Sequence, residues 1–300
     1  MSLIAIILIF ASASLHATWH FMVKQSKPVH ALFIPISGTN WVLTFLFAAT
    51  ASWSFADQPL KLFLCAAGGG IFGVVCNLGL STAYKRAEVS LAYPLGRALP
   101  VILTMVITSA TGLGKPLSVT GVIALLIIFS GCLIMPMDSF SKIKKSDYIN
   151  RALPGILCAA AGTTGYTICD SIGVKLFAAS NPQLSDWQAP VVYSNIRESF
   201  LFVVLVLTVL AIPEERKNLK LDIFKSWKPY CAGIFAGTAY ALILAAMPFI
   251  SNVSYVQAFR QVSLPISMLL GIIFLHEKSR PPKYIGMLLI VSGMALAALK

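Results

Sequence analysis

Ten stretches of about 20 predominantly apolar residues follow one another along this chain, the length that carries an α-helix across a bilayer. They fall at approximately 3–23, 31–54, 61–83, 90–111, 118–137, 153–178, 187–212, 228–250, 255–275 and 281–299. The connections between them are too short to hold a soluble domain. Only 11% of the 300 residues are charged and 57% are hydrophobic, whereas soluble domains carry about a quarter charged residues. The sequence therefore predicts an all-α membrane protein of ten transmembrane helices, inserted multi-pass in the cell (inner) membrane with the lipid bilayer as its surroundings.

A net charge of +12 would suit nucleic acid if it formed a patch, but it does not. The connections after the first, third, fifth, seventh and ninth stretches hold 16 of the 23 Lys and Arg residues, and the other connections and the termini hold 4. Such a bias places the basic connections in the cytoplasm and both termini outside. The opening segment contains Ala-Ser-Ala but no basic n-region, so it reads as a retained first span. The six cysteines all fall within the apolar stretches without CxxC spacing and read as packing residues.

An internal repeat divides the chain. Gly69 and Gly73 form a GxxxG pair, Gly233 and Gly237 form another, and the offset is 164; Val89-Ser90 and Val253-Ser254 share that offset. Five spans followed by five turn the second half upside down relative to the first. Such 5+5 inverted repeats are a plan of secondary transporters, whose sites lie near the bilayer midplane between the halves. The halves are 1–137 and 152–300, and the basic segment 138–151 links them.

Several segments carry a family likeness: "LHATWHFMVKQS" in the first span, "TGYTICDSIGVK" in the sixth, "FRQVSLPISMLLGIIFLHEK" across the ninth and "GMLLIVSGMALAAL" in the tenth. With the order of spans and the acidic Glu277 after the ninth, the chain resembles the ten-helix EamA family of the drug/metabolite transporter superfamily over essentially its whole length. The resemblance implies a 5+5 inverted-repeat carrier (one EamA five-helix unit on each side of the linker) that moves small solutes by alternating access. It implies no particular substrate, and the family includes importers and exporters. The first-half counterpart of Glu277 is Lys115 or a neighbour, a departure from the pattern. Characterised relatives commonly keep both termini in the cytoplasm, opposite to the charge count here.

Within this oily frame, a few charges stand out, because a charged side chain at the bilayer centre costs roughly 2.5–3.5 kcal/mol on the lenient insertion scale. At 1.5 Å per helical residue, Arg97 lies about 12 Å from the face of the basic connections and Arg260 about 8 Å from the other, with Asp170 about 12 Å from that second face. Arg260 and Asp170 are thus expected to pair if their spans adjoin. Prolines 94, 100 and 265 are expected to interrupt the helices beside the two arginines. Arg197 and Glu198 lie near the midplane, and as sequence neighbours they point about 100° apart, so at most one faces a cavity squarely. Arg197, Glu198 and Asp170 read either as an ion-pair network or as ion-coupling groups, since an intramembrane carboxylate is also the usual proton relay.

Helical stripes add polar lining. Gly73, Asn77, Ser81 and Tyr84 share one face of the third span. Tyr93 lies one turn before Arg97, Tyr166 one turn before Asp170, and Gln257 close before Arg260. The alternative is that the small residues are helix contacts and the tyrosines interfacial anchors. Trp19 sits between His16 and His20, whose i, i+4 spacing is that of a two-point metal chelate with no third ligand in view. Asn252-Val-Ser254 is formally a glycosylation sequon at a helix junction.

Enzyme signatures are missing: there is no GxSxG, no HExxH and no P-loop. The expectation is a non-enzymatic secondary carrier, monomer or homodimer, that needs no cofactor or metal and uses protons as the coupling ion. Its expected substrate is a small organic anion or zwitterion held by Arg97, Arg260, Tyr93, Asn77, Tyr84, Tyr166, Gln257 and Trp19. The alternative class is a lipid flippase or a non-transporting membrane component built on the same repeat.

Overall fold

A computed structural model describes residues 3–24, 30–55, 58–86, 89–137, 139–140, 149–275 and 280–298, without the side chains of 89–94 and of several other helical positions. The described residues are helical or loop and contain no strand. In chain order the helices are α1 (Leu3–Lys24), α2 (Phe33–Ala48), α3 (Leu60–Arg86), α4 (Val89–Thr111), α5 (Val119–Ile134), α6 (Leu153–Ser180), α7 (Gln188–Ala211), α8 (Pro213–Asn218), α9 (Leu221–Lys225), α10 (Lys228–Ala246), α11 (Val253–Phe259), α12 (Ser263–Leu275) and α13 (Pro281–Ala298). A 3-10 turn, Arg260–Val262, joins α11 to α12.

Among the described residues six segments are long and apolar enough to cross a membrane: Leu3–His20, His30–Ala48, Leu60–Arg86, Gln188–Ala211, Lys228–Phe249 and Pro281–Ala298. Leu95–Thr111 and Val119–Ile134 are shorter apolar helices. Helix is the expected form in hydrocarbon, where every backbone N–H and C=O has to find its partner within the segment. Beside a buried apolar core, the burial pattern departs from a soluble protein's in two ways. Leu3, Ile7, Leu64, Leu207 and Leu288 face outward, while Arg97, Arg197, Glu198, Arg260 and Asp170 are buried.

Three helix boundaries depart from expectation. The second apolar stretch stops being helical at Ala48, because the Trp53 indole turns back and donates to the Ala48 carbonyl at 2.9 Å. The basic connection after α7 forms two short helices, the first opened by Pro213, whose fixed φ suits a first helical turn. The expected interruption by Pro94 and Pro100 does not occur: α4 runs unbroken through both. Only the segment containing Pro265 breaks. A proline removes one helical donor, and around the break side chains bond other carbonyls of the segment: Gln261 Nε2 donates to the Gln257 carbonyl at 2.8 Å and Arg97 Nη2 to the Arg260 carbonyl at 3.1 Å.

The helices pack in recurring pairs. α3 lies along α6, α1 along α10 and α5 along α13, while α7 rests on α2 and α3, and α10 on α2. Glycines set the closest approaches. A Cβ on Gly131 would stand 2.7 Å from the Gly286 carbonyl oxygen, and one on Gly286 would stand 2.7 Å from that of Gly131. The first GxxxG pair lies against Arg197 and Leu201 of α7, and the second against Ile36, Thr39 and Asn40 of α2.

Outside the apolar segments, Glu215 on α8 ties three elements together. Its carboxylate accepts the His30 amide at 2.9 Å and Lys85 Nζ at 2.8 Å. Burial alone would raise the Glu215 pKa, but the Lys85 bond, the His30 imidazole and the His30 amide together hold it below the ordinary carboxylate range. A depressed carboxylate pKa adds stability that is present above the unfolded value of about 4.3 and disappears as pH falls through the folded value. Glu215→Gln is therefore expected to cost about 1 kcal/mol at neutral pH, a modest figure because Lys85 is part-exposed and screened. Thermal unfolding in detergent checks this: the two melting curves are expected to converge in strong acid, and a constant gap at every pH would remove the ionic explanation.

Candidate functional site

Inside the apolar exterior lies a cavity of about 880 Å³, mouth included. His16, Trp19 and His20 of α1 line it, with Asn40 of α2, Gly73 and Asn77 of α3, Arg97 of α4 and Thr163 and Tyr166 of α6. Arg197 and Glu198 of α7, Tyr240 of α10 and Arg260 close the ring. Most of these residues occupy the halves of their helices nearest the basic connections. The cavity thus runs from the middle of the bundle toward that face.

Its basic pole is a brace between α4 and the broken segment. Arg97 Nη2 donates to the Arg260 carbonyl and, at 3.0 Å, to Ser263 Oγ. In return Gln261 Nε2 donates to the Arg97 carbonyl at 3.1 Å. Gln261 stands 164 residues after Arg97, the repeat offset itself, so matched positions reach for each other's segment. Arg260 Nη1 donates to the Tyr166 hydroxyl at 3.4 Å. Among the described residues no carboxylate lies within ion-pair distance of Arg260.

The acidic pole is built on one guanidinium. Arg197 Nε lies 3.5 Å from Asp170 Oδ2, and Nη1 bonds Glu198 Oε1. Tyr240 and Tyr166 present their rings to the same guanidinium, with its carbon 4.7 and 5.4 Å from their centroids. Asp170 also accepts the Tyr193 hydroxyl at 3.0 Å and the Tyr240 hydroxyl. Gly69 and Gly73 make this possible: a Cβ on Gly69 would stand 3.2 Å from Arg197 Cγ, and one on Gly73 2.8 Å from Arg197 Nη2.

Between the poles, α1 supplies a hydrogen-bonded row of rings. Trp19 Nε1–H donates to His16 Nδ1 at 2.9 Å, so that nitrogen carries no proton. In the neutral ring the proton then sits on Nε2 and points to His20 Nε2, 3.0 Å away. The two rings bond to each other instead of flanking a common metal, and the described residues contain no group of three or more metal-type side chains.

Several expectations are corrected. Asp170 pairs with Arg197, not Arg260, because the azimuth of α6 turns it toward α7. Both Arg197 and Glu198 line the cavity, since the long arginine side chain curls back onto its neighbour. Gln257 is 1% exposed and donates to Thr167 Oγ1 in the layer beneath the cavity instead of lining it. Tyr84 packs beside the cluster of Ala83, Leu95, Ala152 and Ile156. Gly79 and Gly155 bring α6 onto that end of α3 and close the expected stripe. The Asn252 side chain serves as a helix cap and donates to the Lys115 carbonyl at 3.0 Å. The Tyr93 side chain, Glu277 and most of the 138–151 linker lie outside the described residues. Sequence reasoning missed Tyr240, Tyr193, Asn40 and Gln261; of these only Gln261 carried a signal, its repeat offset.

No known family profile matches the sequence, and no curated protein matches it either. The chain is similar to a solved structure described only as the crystal structure of a protein, with a TM-score of 0.68 over 98% of this chain and 96% of that one at 17% identity. A likeness at that identity extends to the fold alone.

Removing Arg197 would strand two buried carboxylates. Arg197→Gln is expected to lose about 3–5 kcal/mol of stability or to fail to fold, and Arg197→Gln with Asp170→Asn to recover part of the loss. Melting temperature and size-exclusion profile in detergent measure both; a single variant as stable as the parent would show that the carboxylates do not depend on it.

Proposed function

We propose that this chain is a secondary active transporter of the EamA type, with ten spans arranged as a 5+5 inverted repeat in the cell membrane. It moves a small organic anion or zwitterion by alternating access. The observation that carries the reading is the central cavity, where Arg97 and Arg260, one from each half of the sequence, come together in an apolar bundle.

The repeat is supported by the pairing of helices. If spans one to five correspond to six to ten, the α1–α10 contact is the counterpart of α3–α6, and α2–α10 of α3–α7. The two GxxxG pairs fall in matching contacts, and the Arg97–Gln261 brace is reciprocal. Alternating access is supported by the layer opposite the mouth. There Thr108 and Ser254 share a hydrogen bond of 3.0 Å, and the Lys115 amide donates to the Ser251 carbonyl at 2.9 Å. These ties join the two halves on the far side and would have to part for the cavity to open there.

Arg260 is the principal anion contact in this reading. Among the described residues it has no carboxylate partner, and Tyr166 takes up little of its donor capacity. Arg97 fixes its position through the Arg260 carbonyl. Trp19, Tyr166 and Tyr240 supply aromatic walls for the organic body of the solute.

Purified protein screened by thermal shift against small anions, zwitterions and cations tests the proposal, because a ligand bound only by the folded state raises the melting temperature. Anionic or zwitterionic ligands are expected to stabilise. Arg260→Gln is expected to fold and to weaken the best of them about ten- to hundred-fold, the loss of one charge-assisted contact. An unchanged shift in that variant, or stabilisation by cations alone, would overturn the assignment.

A further inference from the structure

We infer that Glu198, not Asp170, is the group in this cavity that takes up and releases a proton, with Asp170 serving as the fixed counter-ion of Arg197. The inference deepens the transporter reading by naming its coupling residue. The proton site itself is argued from the geometry of the cluster.

The starting point is a charge count. One guanidinium serves two carboxylates, so with both ionised the cluster carries a net charge of −1 in a region shielded from water. One proton neutralises it. Like charges held this close in a poorly solvated site disfavour the doubly ionised state, so a carboxylate pair of this kind commonly shares a proton.

Donors and access decide which carboxylate holds it. Asp170 is fully buried, does not line the cavity, and has both oxygens occupied: Tyr193 donates to Oδ1, Tyr240 to Oδ2, and Arg197 stands beside Oδ2. Two hydroxyl donors, one on each oxygen, with a guanidinium alongside suit an acceptor-only carboxylate and leave a carboxylic proton no place to go. Glu198 lines the cavity, and Arg197 bonds only its Oε1. A proton arriving through the mouth therefore meets Glu198 first.

A second observation fits a proton there. The Asn40 amide faces Glu198 from α2. Asn40 is 7% exposed, and its Oδ1 rests against Gly237, where among the described residues no donor reaches it. An amide offers N–H to a carboxylate in one orientation and C=O to a carboxylic acid after a half-turn. Asn40 thus serves both protonation states of Glu198, and its idle acceptor is the one a Glu198 O–H requires. The other titratable groups facing this site are Tyr166 and Tyr240, with Cys76 of α3 and His16, His20, Arg97 and Arg260 around the cavity. The positive charges of Arg97 and Arg260 across the cavity favour ionised Glu198, so an anion bound to Arg260 would favour its protonation. Proton and anionic solute would then bind together.

Infrared difference spectroscopy of the purified full-length protein, stepped between acidic and alkaline buffers without solute, reads the carbonyl stretch of a protonated buried carboxyl directly. One such band is expected. It should move when glutamate is labelled with carbon-13 in the side-chain carboxyl, stay when aspartate is so labelled, and vanish in Glu198→Gln. In Asp170→Asn the band should titrate at more acidic pH, because the like charge is gone. A band that follows the aspartate label, a band that persists in folded Glu198→Gln, or no protonated-carboxyl band at any pH would overturn the inference. The isotope arm uses the unaltered protein and stands even if a variant fails to fold. No solute is involved, so failure here is distinct from failure of the thermal-shift screen.

Discussion

Everything inside this bundle follows from the cost of keeping an unpaired charge or an unmade hydrogen bond away from water. The fold answers that cost by making each buried charge serve two purposes. Arg197 holds two carboxylates and is covered by two tyrosine rings. Arg97 satisfies a carbonyl near the break in the α11–α12 segment and, by the same bond, joins the two halves of the sequence. Glycine is the enabling residue where backbones or side chains crowd: Gly69 and Gly73, for example, leave room for the ion pair, and Gly131 and Gly286 let α5 and α13 meet. A larger residue at Gly69 or Gly73 would collide with the Asp170–Arg197 pair, and one at Gly131 or Gly286 with the backbone of the facing helix.

Helix positions were largely legible because bilayer length and hydropathy are local properties of a segment. The misjudged end of α2 shows the limit: it depends on where the Trp53 side chain folds back, a contact five residues away that composition does not encode. Proline was an uncertain guide for a related reason. Pro94, Pro100 and Pro265 are equally poor helix residues, yet only the last accompanies a break, and there Arg97 and Gln261 satisfy the carbonyls.

The charged residues of the site were legible as anomalies, but their partners were not. Depth along a helix follows from counting residues, which puts Arg197 and Glu198 near the middle of α7. Azimuth between helices does not follow from counting, which is why Asp170 was matched to Arg260. Tyr240 and Tyr193 gave no signal, because a tyrosine in an apolar span looks the same whether it anchors at the interface or donates to a buried carboxylate. The repeat offset was the strongest long-range information available. Taken strictly, it pairs Arg97 with Gln261, and those are the residues that form the reciprocal brace.

In the proposed reading the cavity is one end state of a two-state bundle, closed on the far side by the Thr108–Ser254 contact and the Lys115–Ser251 backbone tie. Locking that layer tests the account most directly. A Thr108→Cys/Ser254→Cys variant, made in a background with the six native cysteines replaced, would be oxidised in vesicles and assayed for both ligand binding and solute flux. The account predicts that the disulfide stops flux, that reduction restores it, and that binding from the open side survives throughout. Undiminished flux through the fully oxidised protein would contradict it.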